Sequence, residues 1–574
     1  MNLSSFRARG LSLSFTFGIA YFCACTGTVQ RPDGPGGGDD PRAPKSPNSP
    51  QPPGPRPEGP VVVDPNAEKG VFDFHGEGFD GLARISSMEY RNILTDVFGA
   101  IPAQLSLPDD EGDAAGTGFV GQSFAMTDTA FAAYQTAAET VAAALLDRPL
   151  SDKLNCDLAK GDRACVEKFL DTFAARLLRR PLDADGKSQM LGLYDRARTE
   201  FTATAREAAA LVIARLLLSP QFLHKIEPEA GASSNEPRLV HLDAFALASR
   251  LAFFLWRSGP DSELLAAAQS GEILKPEVMA SQARRLLADP RAAVVIQAFH
   301  AQWLERGHLD EAQREDPRFT EALKTAMATE SDKFVKHVVF DGNGGLTDLL
   351  TARYSFLTPE LAKLYGVPSP RGVDQPTPFD ASVKRAGMFG HASFLAGHAT
   401  ERDSNPITRA VTLFERVLCR ELPKVPPNVA EMEVEDRLSH PVCGGCHRSF
   451  EPLGLGLELY GSLGEERSTT GRKVDGNIAD SVEIDGVFTG SEELGRRLLS
   501  GVDGPYCYAR QWFRFAVGRV EGPLDVSSMN DAVEAFRSAK LDVRELLISV
   551  VQTRSFRTRS ERPANEQRTC TTSI

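Results

Sequence analysis

The stretch "HPVCGGCHRSFEPLGLGLELYG", His440 to Gly461, constrains this chain more than any other. Two thiols three positions apart lie about one helical turn from each other, and the next residue is an imidazole. With nine cysteines and ten histidines in 574 residues, chance seldom produces that spacing. Four uses are open. Cys-x-x-Cys-His is the attachment signature of c-type haem, in which each thiol adds to a vinyl group and the histidine becomes an axial iron ligand. A zinc site needs four ligands in a tetrahedron. His440, Cys443, Cys446 and His447 supply four, but the neighbours Cys446 and His447 do not easily share one small ion, and no second Cys-x-x-Cys exists. A thioredoxin-like redox pair wants a strand before it and a helix starting at its first cysteine, and "EDRLSHPV" makes a poor strand. An inert disulfide is the fourth use. The tail favours haem: Pro452, Gly454 and Gly456 read as tight backbone turns, and Leu453, Leu455, Leu457, Leu459 and Tyr460 as an apolar wall that keeps water from a porphyrin.

The N-terminus reads as an address. Arg7 and Arg9 precede an apolar run, Leu11 to Phe22, too short to span a bilayer and followed by "CACTG". Residues 1–24 are expected to be a lipoprotein-type signal peptide, with Cys25 the acylated residue; Phe22 stands where such signals usually carry leucine. Residues 25–70 form a Pro/Gly-rich linker, with twelve prolines in the 37 positions from Gln30 to Asn66. Such a segment buries too little apolar surface to offset its ordering entropy. It is expected to tether a folded body to a membrane through lipid on Cys25 alone. The chain is then exported, periplasmic or anchored at the outer membrane.

The body reads as mainly α, a multidomain helical body with minor β near the C-terminal part. "ARISSMEYRNILTDVFG" has Ser86 or Ser87 as N-cap and Gly99 as stop. "HLDAFALASRLAFFLW" sets Leu247, Leu251 and Leu255 on one face behind Asp243. "NIADSVEIDGVFTG" alternates around Asp485–Gly486, as a short hairpin would. Trp256, Trp303 and Trp512 sit on apolar faces and read as core. Helical blocks are expected over 71–150, 151–230 and 238–365, with 383–475 around the cysteine cluster and 476–560 carrying the hairpin. In an oxidising compartment Cys156 and Cys165 are a plausible disulfide. Of Cys419, Cys507 and Cys570, two would pair, and the sequence does not say which.

Several blocks together resemble a known family. "CGGCHRSFEPLGLGLELYGSLGEER" is similar to the motif of secreted proteins with a planctomycete-type cytochrome c-like domain, best known under the label domain of unknown function 1592. "RISSMEYRNILTDVFG", "CDLAKGDRACVEKFLDTFAARLLRRPL", "LASRLAFFLWRSGPDSELLAAA" and "YCYARQWFRFAVGR" follow the family's order, and the resemblance runs from about Ala83 to Arg559. It implies haem c covalently held by Cys443 and Cys446, with His447 on the iron and Pro452 and Gly454 in the binding block. The chain departs from the family at Glu451 (usually Asp), Leu455 (Phe), Gly461 (Asp) and Ala410 (Gly).

The sixth iron position would decide between an electron carrier and oxidation chemistry. Met388, His391, His398, Met432, His440 and Met529 are the candidates. "RAGMFGHASFLAGHATERDSNP" concentrates three of them, and His398, with Met388 as alternative, is favoured; His440 reads as structural. No G-x-S-x-G, phosphate loop, H-E-x-x-H or dinucleotide glycine pattern occurs. "FDFHGEGFDG", with His75 and Glu77, reads as a loop rather than a site. A net charge of −13 disfavours nucleic acid. The expected role is redox chemistry at the cell envelope, with a redox partner protein or a small-molecule substrate; whether it is an enzyme is left open. The rival is a non-enzymatic envelope scaffold or polymer-binding protein whose cysteine pair is structural.

Overall fold

Helix caps explain where most elements begin. The helix Ser87–Phe98 opens on Ser86, whose side chain accepts from the Glu89 N–H while Glu89 reaches back to the Ser86 N–H, and it stops at Gly99 with φ +80°. Asp243 caps Ala244–Trp256 through the Ala246 N–H. Arg163–Leu178 ends where Arg179 turns left-handed. The computed structural model describes residues 83–110, 119, 126–148, 150–233, 239–422, 437–481 and 483–560. The leader, the linker, Cys25, His75, Glu77, Met432 and Cys570 lie outside the described residues.

All described residues fall in one compact unit, Val63–Glu561. The structure is mainly helical, and the 238–365, 383–475 and 476–560 blocks share one buried core. Phe254, Phe299 and Trp303 from the 238–365 block, Phe389 and Leu457 from the 383–475 block, and Trp512 and Phe515 from the 476–560 block belong to one buried cluster. Phe299 stacks on Trp512, and Trp256, Trp303 and Trp512 are all buried. The expected tryptophan placement holds.

Strands are short but not confined to the C-terminal part. Leu239–Leu242 is the centre of a three-stranded antiparallel sheet between Glu229–Ser233 and Thr558–Ser560, with Val240 opposite Arg559. The end of the described chain therefore closes back onto the start of the central block, a long-range pairing with no local signature. The expected hairpin exists between Gly476–Ile478 and Gly486–Phe488. Its turn is not at Asp485–Gly486: Gly486, with φ +134°, opens the second strand, and the connection is residues 479–485.

Two disulfides tie the fold. Cys156–Cys165 forms as expected, and Cys419 pairs with Cys507 across 88 positions. The second bond encloses the whole cysteine-cluster segment, whose own two thiols remain free. Among the described residues no helix is long and apolar enough to cross a membrane.

Candidate functional site

The cysteine cluster occupies the first turn of a helix, Gly444–Leu455, with Cys443 at its N-cap. His440 builds the entry. Its Nδ1 accepts from the backbone N–H groups of Val442 and Cys443, both at 3.3 Å, and its carbonyl accepts from Gly444 at 2.8 Å. Two of the helix's otherwise orphaned donors are thereby satisfied, so His440 is structural. Gly444 is required by crowding, since a Cβ there would stand 2.6 Å from the Leu438 carbonyl oxygen. The Cys443 carbonyl accepts from both Cys446 (3.2 Å) and His447 (3.0 Å). Cys443 is buried and Cys446 half-buried, and neither is bonded to the other.

His447 is positioned by its own helix. Its Nδ1 lies 2.7 Å from Oε2 of Glu451, one turn on, and its ring packs at 5.0 Å on Phe450, which in turn meets Phe414. A carboxylate only accepts, so Nδ1 carries the proton, and in the neutral imidazole the lone pair is left on Nε2. A histidine with one nitrogen tied to a carboxylate and the other free is what a metal-ligating imidazole requires. The donor set of two unpaired thiols a turn apart and an oriented imidazole therefore fits a covalently held haem. Glu451 keeps the charge that the resemblance places there as Asp, and the i,i+4 spacing gives that charge its task.

The tail does other work than expected. Pro452 and Gly454 are inside the helix, not in turns. Gly454 is where the helix Pro406–Thr412 crosses: a Cβ would lie 1.8 Å from the Pro406 carbonyl oxygen. Leu453, Leu457, Leu459 and Tyr460 are buried in the shared core. Arg409, fully buried, pins this tail. Its guanidinium donates to the carbonyls of Leu457 (2.9 Å), Tyr460 (3.1 Å), Gly461 (2.9 Å) and Leu395 (3.0 Å), with Glu458 at 3.5 Å. Burial pushes its pKa down to about 10 against the pull of Glu458. At Gly461, where the resemblance has Asp, a Cβ would stand 2.7 Å from the Glu465 carboxylate, so Glu465 fills the space a side chain would take.

The sixth-ligand candidates are held in place by other contacts. Met388 and Met529 are buried in the core. His391 is buried, with Nδ1 at 3.0 Å from the Ser331 hydroxyl and Nε2 at 3.4 Å from that of Ser355, and burial lowers its pKa to about 3. His398 is buried too: Nδ1 donates to the Phe394 carbonyl at 2.9 Å, and Nε2 faces His308 Nδ1 at 3.4 Å and Glu305 Oε2 at 3.5 Å. Burial would raise the Glu305 pKa, but bonds from His398 and Thr412 outweigh it and hold it at about 2. Sequence reasoning missed Glu305, His308 and Arg409. The Glu-x-x-His spacing of the first two was a usable signal; a buried arginine had none.

Four family models match the chain in succession, each described as a protein of unknown function. They are DUF1595 at residues 165–227, DUF1592 at 242–367, DUF1588 (PSCyt3) at 385–470 and DUF1585 at 486–556. The PSCyt3 match spans the cysteine cluster, Glu451, His398 and Arg409. No curated protein and no solved structure matches.

Proposed function

The chain belongs to the multidomain DUF1592 family, and from the cytochrome-like label of the PSCyt3 model matched at residues 385–470 we propose that it is a c-type haem protein with a redox role at the cell envelope. Cys443 and Cys446 would hold the group, and His447 would meet the iron through Nε2. Haem bound there supplies a one-electron iron couple. The carrying observation is the His447–Glu451 bond beside two unpaired thiols, an arrangement that a structural cysteine pair would not need.

The protein's own groups do the rest. Glu451 fixes the tautomer and the ring orientation of His447. Phe450 packs on the imidazole and is itself backed by Phe414, and Arg409 ties down the segment that follows the helix. The leader, Cys25 and the proline-rich segment fit export and lipid anchoring. A redox partner or a small oxidisable substrate would then be met outside the cytoplasm.

The test is an absorption spectrum of the full chain matured in a host that attaches c-type haem. A sharp reduced band that survives acid–acetone extraction is expected, and C443S/C446S should lose it. A colourless wild-type protein with Cys443 and Cys446 oxidised would instead establish the scaffold reading.

A further inference from the structure

Glu305 and His308 lie on one stretch of chain and His398 on another some 90 positions later, yet their ligand atoms all come within 4.8 Å of one another. The short helix Gly307–Glu311 carries His308 against Ala392–Gly397, which ends beside His398. Gly397 permits the approach, because a Cβ there would already be 3.3 Å from the Leu309 nitrogen. Glu305, at φ +52°, is the left-handed residue that closes the helix Pro290–Trp303, with the Arg306 N–H donating back to the Ala301 carbonyl. We propose that these three residues form a second metal site, separate from the haem, for a single Zn²⁺-like divalent transition ion.

The chemistry rests on geometry. His398 commits Nδ1–H to the Phe394 carbonyl, which turns its Nε2 toward Glu305 Oε2 at 3.5 Å and His308 Nδ1 at 3.4 Å. A tetrahedral ion with metal–ligand bonds of about 2.0–2.1 Å separates its ligand atoms by about 3.3–3.4 Å. The 3.4 Å His308–His398 and 3.5 Å Glu305–His398 separations match that edge. An outer layer is present as well. Thr412 donates to Glu305 Oε2 at 2.6 Å, and the Phe394 carbonyl orients His398. Two imidazoles and a carboxylate suit zinc and its first-row neighbours rather than calcium or magnesium. His308 is exposed, so the fourth position opens toward solvent and would take water or a small anionic ligand.

Chelator-treated full chain, titrated with Zn²⁺ by calorimetry, is expected to take up one equivalent, with elemental analysis returning one zinc per chain. H308A alters an exposed residue, and E305Q keeps the side-chain shape; each should weaken binding by on the order of a hundredfold or more. C443S/C446S should bind zinc as wild type does, which separates this site from the thiols and from the haem reading. A folded wild-type chain that takes up no zinc, or an H308A variant with wild-type affinity, would overturn the assignment and leave a His–His–Glu hydrogen-bonded cluster.

Discussion

The Nδ1 of His447 and the Oε2 of Glu451 stand 2.7 Å apart on one face of the Gly444–Leu455 helix. With haem held as proposed, a carboxylate at that distance would favour the more positive of the two iron oxidation states. E451Q should therefore raise the midpoint potential. One kcal/mol of lost preference corresponds to roughly 40 mV for a one-electron couple, and a hydrogen bond to a charged group is worth about 1.5–3 kcal/mol. A rise on the order of 60–120 mV in a spectroelectrochemical titration of the haem-loaded chain is expected, with attachment retained. An unmoved potential would deny Glu451 its role.

Gly454 decides how the motif helix docks. A methyl group there collides with the Pro406 backbone at 1.8 Å, and backbone on both sides cannot give by that much without parting the helices. G454A should cost at least about 3 kcal/mol, above the usual range for overpacking. Urea unfolding reads this directly, as a lower midpoint with the slope unchanged.

Gly454 also shows what a sequence conceals. Its signal is local, so it read as a turn, whereas the crowding that requires glycine comes from Pro406, 48 positions earlier. Helices whose evidence is local were legible: Asp243 ahead of Leu247, Leu251 and Leu255, or the Ser86–Glu89 box, since caps and 3.6-residue periodicity act within a few residues. The cysteine cluster was legible for the same reason. Arg409 was not, because an arginine ordinarily reads as surface, and only the converging carbonyls of Leu395, Leu457, Tyr460 and Gly461 make its burial tolerable. His398 was favoured as the sixth iron ligand from its neighbourhood in the sequence. Its contacts with Glu305 and His308 depend on a helix approach some 90 residues away along the chain.

Acid should destabilise the folded chain through two histidines. Burial holds His300 at about 4 and His391 at about 3, against 6.5 in the open chain. The unfolded chain therefore binds their protons between those values and 6.5, while the folded chain does not. Stability then rises with pH across that window by about 1.4 kcal/mol per pH unit per proton. Glu330 opposes them. Burial lifts it from 4.5 to about 7, so between 4.5 and 7 the folded chain keeps a proton that the unfolded chain has lost, and stability falls. E330Q should steepen the rise between pH 4.5 and 6.5, and H391N should flatten it, in denaturant titrations at stepped pH.

The Cys419–Cys507 bond closes a loop of 88 positions around the cysteine cluster. By chain-entropy reasoning a loop of that length contributes about 4–5 kcal/mol. C419S/C507S, removed as a pair so that no stray thiol competes with Cys443 and Cys446, should lower the unfolding free energy by a similar amount. Trp303 donates to the Arg416 carbonyl just before Cys419, and Gln511, four residues beyond Cys507, donates to the same oxygen. The native junction thus has non-covalent support, and the double variant should still fold and retain the spectrum of the wild type. Reductant should lower the thermal midpoint of the wild type by more than that of the variant, whose remaining bond, Cys156–Cys165, closes a loop of only 9 positions. An equal response in both proteins would place the sensitivity at Cys156–Cys165 instead.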